Sequence, residues 1–169
     1  MFGLHPLSFE HFISLARISY ELGFDDEARV YTQKAKKLKN YDASIFLNEG
    51  FFAILDNNEE KLYKNYYELS KVYKHKNSIS NYTEIISWLE DEKKNHDNTI
   101  LFEFAIGSLN LFYSDKKLGK KILIQIKNDY LRNNYSKIHE LTTLFLTKGE
   151  IKSVYFKKYN KKKKKRKRK

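Results

Sequence analysis

Acid–base or metal chemistry in this chain would have to come from its five histidines, His5, His11, His75, His96 and His139. No two stand at the helical spacing that sets a pair of imidazoles on one metal, and His139-Glu140 lacks the second histidine of a zinc-protease motif. They read as surface or partly packed side chains. The absence of cysteine removes thiol nucleophiles, disulfides and Cys-based zinc sites. The glycines are scattered singly, so none builds a phosphate-cradling loop. Two acidic runs remain. Asp25-Asp26-Glu27 falls at an expected helix start, where negative charge is favoured by the helix dipole, and Glu90-Asp91-Glu92 falls at a helix end facing water. The sequons Asn81-Tyr82-Thr83 and Asn134-Tyr135-Ser136 imply glycosylation only in a secreted chain, and Met1–Leu15 has neither the basic start nor the apolar core of a signal peptide. These residues predict a protein that is not an enzyme and carries no metal and no cofactor.

The strongest electrostatic feature is a run of cations: Lys161, Lys162, Lys163, Lys164, Lys165, Arg166, Lys167, Arg168 and Lys169. Setting these nine aside leaves 24 basic against 21 acidic residues in 1–160, so the formal net charge falls from +12 to +3. Adjacent like charges repel, and the tail (159–169) is expected to be disordered and solvated. Such a run binds nucleic acid or an anionic membrane by counterion release without choosing a sequence, or serves as a nuclear-localisation run. It also fits lysine-rich drift in an AT-rich coding sequence. No aromatic residue interleaves it, as a base-stacking surface would need.

The elements that position these residues read as helices throughout. The chain of 169 residues, 41% hydrophobic and 15% aromatic, suits one folded domain over 1–158. No apolar run reaches the roughly 18 residues of a membrane span, so a soluble, cytoplasmic protein is expected. Phe9, Phe12, Ile13, Leu15, Ala16, Ser19 and Tyr20 share one face of a first helix, ended by Gly23, with Asp25 expected to cap the next. A second helix runs to about Leu38 on a stripe of Ala28, Tyr31, Ala35 and Leu38. A third spans Ala43–Leu55 and, after Asn57-Asn58, a fourth spans Glu59–Val72 with Leu62, Tyr66, Leu69 and Tyr73 on its face. Four more are expected near Ser80–Lys93, Asn98–Tyr113, Lys116–Leu131 and Ser136–Leu146, with a short helix over 149–158. Short links and a single proline make neighbouring helices pack antiparallel.

Residues 9–42 align without a gap on 43–76, a period of 34. Phe12 meets Phe46, Ala16 meets Gly50, Ser19 meets Ala53, Gly23 meets Asn57, Ala28 meets Leu62 and Ala35 meets Leu69. The chain resembles the tetratricopeptide repeat (TPR) family, most clearly in LARISYELGFDDEARVYTQKA (15–35), where Leu15, Ala16, Gly23, Ala28 and Ala35 stand on pattern positions. Ser19 and Thr32 replace aromatic residues of that pattern, and neither repeat ends in its proline. Beyond Lys76 two registers compete. One starts at Ile79, with Tyr82, Ile85, Ile86, Phe102 and Ala105 on pattern positions. The other starts at Ile100, with Ile106, Gly107, Leu123 and Ile126.

The resemblance implies an all-α, TPR-like array of about eight antiparallel helices that acts as a protein–protein adaptor or assembly scaffold. Its partner, a peptide or helix, would lie in the concave groove formed by the first helix of each pair. Carried over by position, the groove residues are Ile13, Arg17, Tyr20 and Glu21, then Leu47, Asn48, Phe51, Ile54 and Leu55. Leu47, Ile54 and Leu55 serve equally well as core in a short array that closes on itself. Ile13 stands where chaperone-binding members carry their first carboxylate-gripping lysine, which disfavours that variant. Self-association through uncapped terminal helices is a further option. The alternative function is nucleic-acid or anionic-surface binding through the tail, with Lys116, Lys117, Lys120 and Lys121 as the next basic face.

Overall fold

The computed structural model describes residues 6–72, 82–133 and 135–148. The expected helix over 149–158, the basic tail, Tyr73, His5 and His75 lie outside the described residues. Among the described residues there are eight α-helices and no strand: α1 (Phe9–Glu21), α2 (Asp25–Leu38), α3 (Ala43–Leu55), α4 (Glu59–Val72), α5 (Tyr82–Glu92), α6 (Thr99–Tyr113), α7 (Lys116–Asn133) and α8 (Ser136–Lys148). A 3-10 turn, Lys93–Asn95, extends α5.

Local side chains set where these helices begin. The Ser8 hydroxyl accepts from the His11 amide, and the His11 ring stands 3.1 Å from the Ser8 amide in return, a capping box with histidine in the usual Glu position. Asp42 accepts from Ser44 N–H at 2.9 Å, Asn58 from Lys61 N–H at 2.9 Å, and Asp115 from Lys117 and Leu118 N–H at 2.8 and 3.0 Å. Asp25 departs from expectation. Phe24 occupies the cap of α2 and makes no side-chain cap bond, while Asp25, Asp26 and Glu27 fill the first turn. There they act on the dipole rather than on a single amide.

The 34-residue period is geometric. Gly23 (φ 81°) and Asn57 (φ 49°) both take the left-handed conformation that ends a helix. Around them the same bonds recur: Gly23 N–H to Tyr20 O and Phe24 N–H to Ser19 O in the first hairpin, Asn57 N–H to Ile54 O and Asn58 N–H to Ala53 O in the second. Burial recurs too. Ala28 and Leu62, Thr32 and Tyr66, and Ala35 and Leu69 are all at most 1% exposed. Volume is exchanged between the two helices of each hairpin. In the first hairpin Ala16 meets a helix carrying Thr32; in the second, Tyr66 fills that place and Gly50 yields, since a Cβ on Gly50 would lie 2.8 Å from the Tyr66 ring.

The third hairpin settles the register. α6 packs far more extensively on α7 than on α5, as the register from Ile100 requires. In that register Gly107 takes the place of Ala16 and Gly50, and Gly119 that of Ala28 and Leu62. A Cβ on Gly119 would stand 2.7 Å from the Gly107 carbonyl oxygen, so the two backbones approach as closely as chains can. Among the described residues, α5 is thus a single helix between the second and third hairpins. The α8 helix does not extend the array but turns back onto α4, α6 and α7. The Glu59 carboxylate accepts the Ile138 amide at 2.8 Å in the first turn of α8, and the Tyr135 hydroxyl reaches Asn57 at 2.9 Å. The core runs through α3 and α6, buried on nearly every side: Ile45, Ile54, Leu101, Phe102, Phe104 and Leu109 are fully enclosed.

Replacing Gly119 by alanine is expected to destabilise the fold by about 1–2 kcal/mol. Overpacking against backbone that cannot yield costs more than the helix propensity gained. Urea unfolding of the variant against the parent measures the difference; an unchanged midpoint would contradict the close approach of α6 and α7.

Candidate functional site

α1, α3 and α5 face one another across a cleft of about 440 Å³. Its inner end is aromatic because three helices each contribute one ring at the point of convergence. Tyr20 meets Phe51 edge-on at 4.7 Å and Trp88 edge-on at 5.4 Å, and Phe51 meets Trp88 at 4.4 Å. The Tyr20 hydroxyl donates to Glu92 at 2.8 Å and so ties α1 to the end of α5. His96 lies 3.6 Å from the same carboxylate and stacks on Phe102. Burial, then the Glu92 hydrogen bond, hold the Tyr20 proton well above the usual phenol range. The wholly buried Tyr66, packed edge-on against Phe104, is raised by burial as well.

The rim is charged and largely paired within itself. Arg17 bonds Glu21 at 2.8 Å and reaches Glu84 of α5 at 4.0 Å, while Lys39 pairs with Asp42. Glu10 is exposed, and hydrogen bonds from its own backbone amide and from Ser8 hold its carboxyl below the ordinary range. Apolar side chains between rim and floor come from Phe9 and Ile13 on α1, Leu47 on α3 and Ile85 on α5.

Of the nine groove residues carried over from the repeat pattern, Ile13, Arg17, Tyr20, Leu47, Asn48 and Phe51 line this cleft. Three do not. Ile54 is fully buried in the core, Leu55 is half-buried against it, and Glu21 sits outside with its carboxylate on Arg17. Asn48 lines the wall, but its amide donates to Thr32 at 3.3 Å, so that polar group serves the packing of α3 on α2. Phe51 is only 6% exposed and is as much core as lining. Sequence reasoning expected the α5 helix but placed none of its residues in the groove. Glu84, Ile85 and Trp88 complete the cleft, and the register starting at Ile79 was the signal, because it makes α5 a first helix like α1 and α3.

Ser14 and Ser44 line the cleft without a histidine among the other lining residues. Among the described residues no group of three or more His, Cys, Asp or Glu is placed to hold a metal ion, and no helix is long and apolar enough to cross a membrane. No protein-family model, curated protein or solved structure matches the chain.

The raised phenols imply an alkaline limit. Unfolded tyrosines lose their protons near pH 10, whereas folded Tyr66 keeps its own, so above that pH the folded state binds more protons and stability falls as pH rises. Below about pH 10 this contribution is fully present. Urea unfolding between pH 9 and 11 is expected to show a decline that Tyr66→Phe reduces by up to about 1.4 kcal/mol per pH unit. Tyr20→Phe is expected to cost about 1 kcal/mol at pH 7, because its bond to Glu92 is removed. Equal stability of Tyr20→Phe and parent at pH 7 would show that this bond contributes nothing.

Proposed function

We propose that this chain is a non-catalytic adaptor that holds a peptide segment of a larger assembly in the α1–α3–α5 cleft. One observation carries the reading: six residues nominated by the family resemblance line a single cleft with an aromatic floor. Its volume falls in the range of ligand pockets, enough to take one or two large apolar side chains from an extended peptide or from one helix face. Both rim cations are already matched by carboxylates, and Glu10 adds a further negative charge. The fitting peptide therefore carries a basic residue beside its apolar anchor. The 34-residue hairpin period supports a TPR-like architecture, in which a partner groove on the first helices is the common arrangement. Absence of a transmembrane helix among the described residues is compatible with a cytoplasmic adaptor.

Panning the full chain against a displayed library of random 12-residue peptides is expected to enrich sequences pairing a large apolar residue with a lysine or arginine. Their affinity is expected to fall at least 10-fold with Ile13→Asp or Ile85→Asp, which change cleft residues that are only partly buried. The control Leu38→Asp, on the exposed side of α2, is expected to leave it unchanged. Peptides bound equally by all three variants would overturn the cleft assignment. Phe51→Asp is a poor test, because it places a charge in the core.

A further inference from the structure

Outside α7, the described lysines divide between paired and scattered unpaired ones. Lys36, Lys39, Lys71, Lys93, Lys94 and Lys137 each stand within ion-pair distance of a carboxylate. The α7 helix differs. Lys116, Lys117, Lys120, Lys121 and Lys127 are all exposed, and among the described residues none of them has an acidic partner. At 100° per residue these five fall on one arc of about 140°, with Ile124 between them and 48% exposed. Gly119, Leu123 and Ile126 fall outside that arc and are buried, with Gly119 and Leu123 against α6. From Lys116 to Lys127 the face is about 17 Å long.

This arrangement works against the fold that carries it. Lys116, Lys117 and Lys120 crowd the first turns of α7, where the helix dipole is already positive, and Asp115 is the acid at that end, its oxygen engaged by the Lys117 and Leu118 amides. Like charges three and four residues apart add their own repulsion. A dense row of anions relieves both. We propose that the exposed face of α7 is a binding surface for the phosphate backbone of a duplex nucleic acid. The face matches a duplex in particular. Phosphates there present a charge every 1.7 Å or so of axis, which a rigid row of cations about 17 Å long meets at several points. No aromatic side chain stands among the five lysines to stack on unpaired bases. A lipid surface is disfavoured, because the apolar stripe of α7 is spent on α6 and leaves Ile124 as the apolar side chain within the arc. The surface neither requires the cleft function nor depends on it, and the cationic run 161–169 would add to it without choosing its position.

Fluorescence anisotropy of a labelled 20-base-pair duplex of random sequence, titrated with the full chain from about 50 to 200 mM salt, tests the assignment. Lys116→Gln/Lys120→Gln/Lys127→Gln is expected to reduce the log–log salt slope by about three, roughly one for each phosphate no longer neutralised. Arginine at the same three positions is expected to retain the parent slope. The control Lys37→Gln/Lys61→Gln/Lys64→Gln removes the same charge from exposed lysines on α2 and α4 that also lack acidic partners among the described residues, and is expected to leave the slope unchanged. All variants are expected to keep the parent's helical signal and a melting temperature no lower than the parent's. An unchanged slope for the α7 triple would overturn the proposal, as would an equal reduction in both glutamine triples, which would indicate net charge alone. Absence of duplex binding by the parent would overturn it too, and binding instead to phosphatidylserine vesicles through the same lysines would assign the face to lipid.

Discussion

Two helices of a hairpin can approach closely only where one of them gives up its side chain, and every hairpin of this molecule is built on that concession. Ala16 makes it in the first, Gly50 in the second, and Gly107 with Gly119 in the third. What stands opposite the glycines is scaled to match: the full Tyr66 ring against Gly50, and backbone itself between α6 and α7. Close-packed interiors transmit such choices, because there is no void to absorb a mismatch. The depth of α3 and α6 follows from it. Once their partners lie this near, their remaining faces must be apolar as well, which is why both helices are buried nearly all round while α2 and α7 keep charged outer faces.

The cleft is the consequence of an interrupted array. Among the described residues α5 is the one helix between the second and third hairpins, and the Tyr20–Glu92 bond with the Tyr20–Phe51–Trp88 cluster brings it against α1. At that end the three helices touch; towards Phe9, Lys39 and Ile85 they diverge and leave space. α8 closes the other side. Glu59, a first-turn acid of α4, also satisfies an orphan amide of α8, so one carboxylate serves two helix N-termini at once. An open superhelix would leave these groups to water. Here they tie α8 to the second hairpin across nearly 80 positions of sequence.

Charge is divided by the same architecture. Between α2 and α3, acids and bases meet across short gaps, as Lys36 does with Glu49 and Arg29 with Asp56 at the end of α3. α7 lies at the outside of its hairpin, and its outward arc has no neighbouring helix among the described residues to supply an acid. A face left unpaired at the edge of an array is available to a partner in a way that an internally compensated one is not.

The helices themselves were legible in the sequence, because their causes are local. Apolar spacing, the Ser8, Asp42, Asn58 and Asp115 caps, and the left-handed positions Gly23 and Asn57 depend on residues within one or two turns, and the 34-residue period simply repeats them. Ile13, Arg17 and Leu47 were nominated by the family resemblance, which assigns a groove to the first helix of each hairpin, and they line the cleft wall. The pairing of α6 was not legible: both registers offered it apolar positions, and the decision rests on whether Gly107 and Gly119 meet, a matter between helices rather than within one. Burial likewise escaped a local reading. Ile54 and Leu55 share the groove-facing pattern of Leu47, yet the chain returns over them through Asn98, whose side chain bonds the Ile54 carbonyl. Trp88 entered the cleft, and α8 turned back onto α4, because apolar surface left at the edge of two hairpins is covered by whichever later helix can reach it, and reach is decided only when the whole chain is packed.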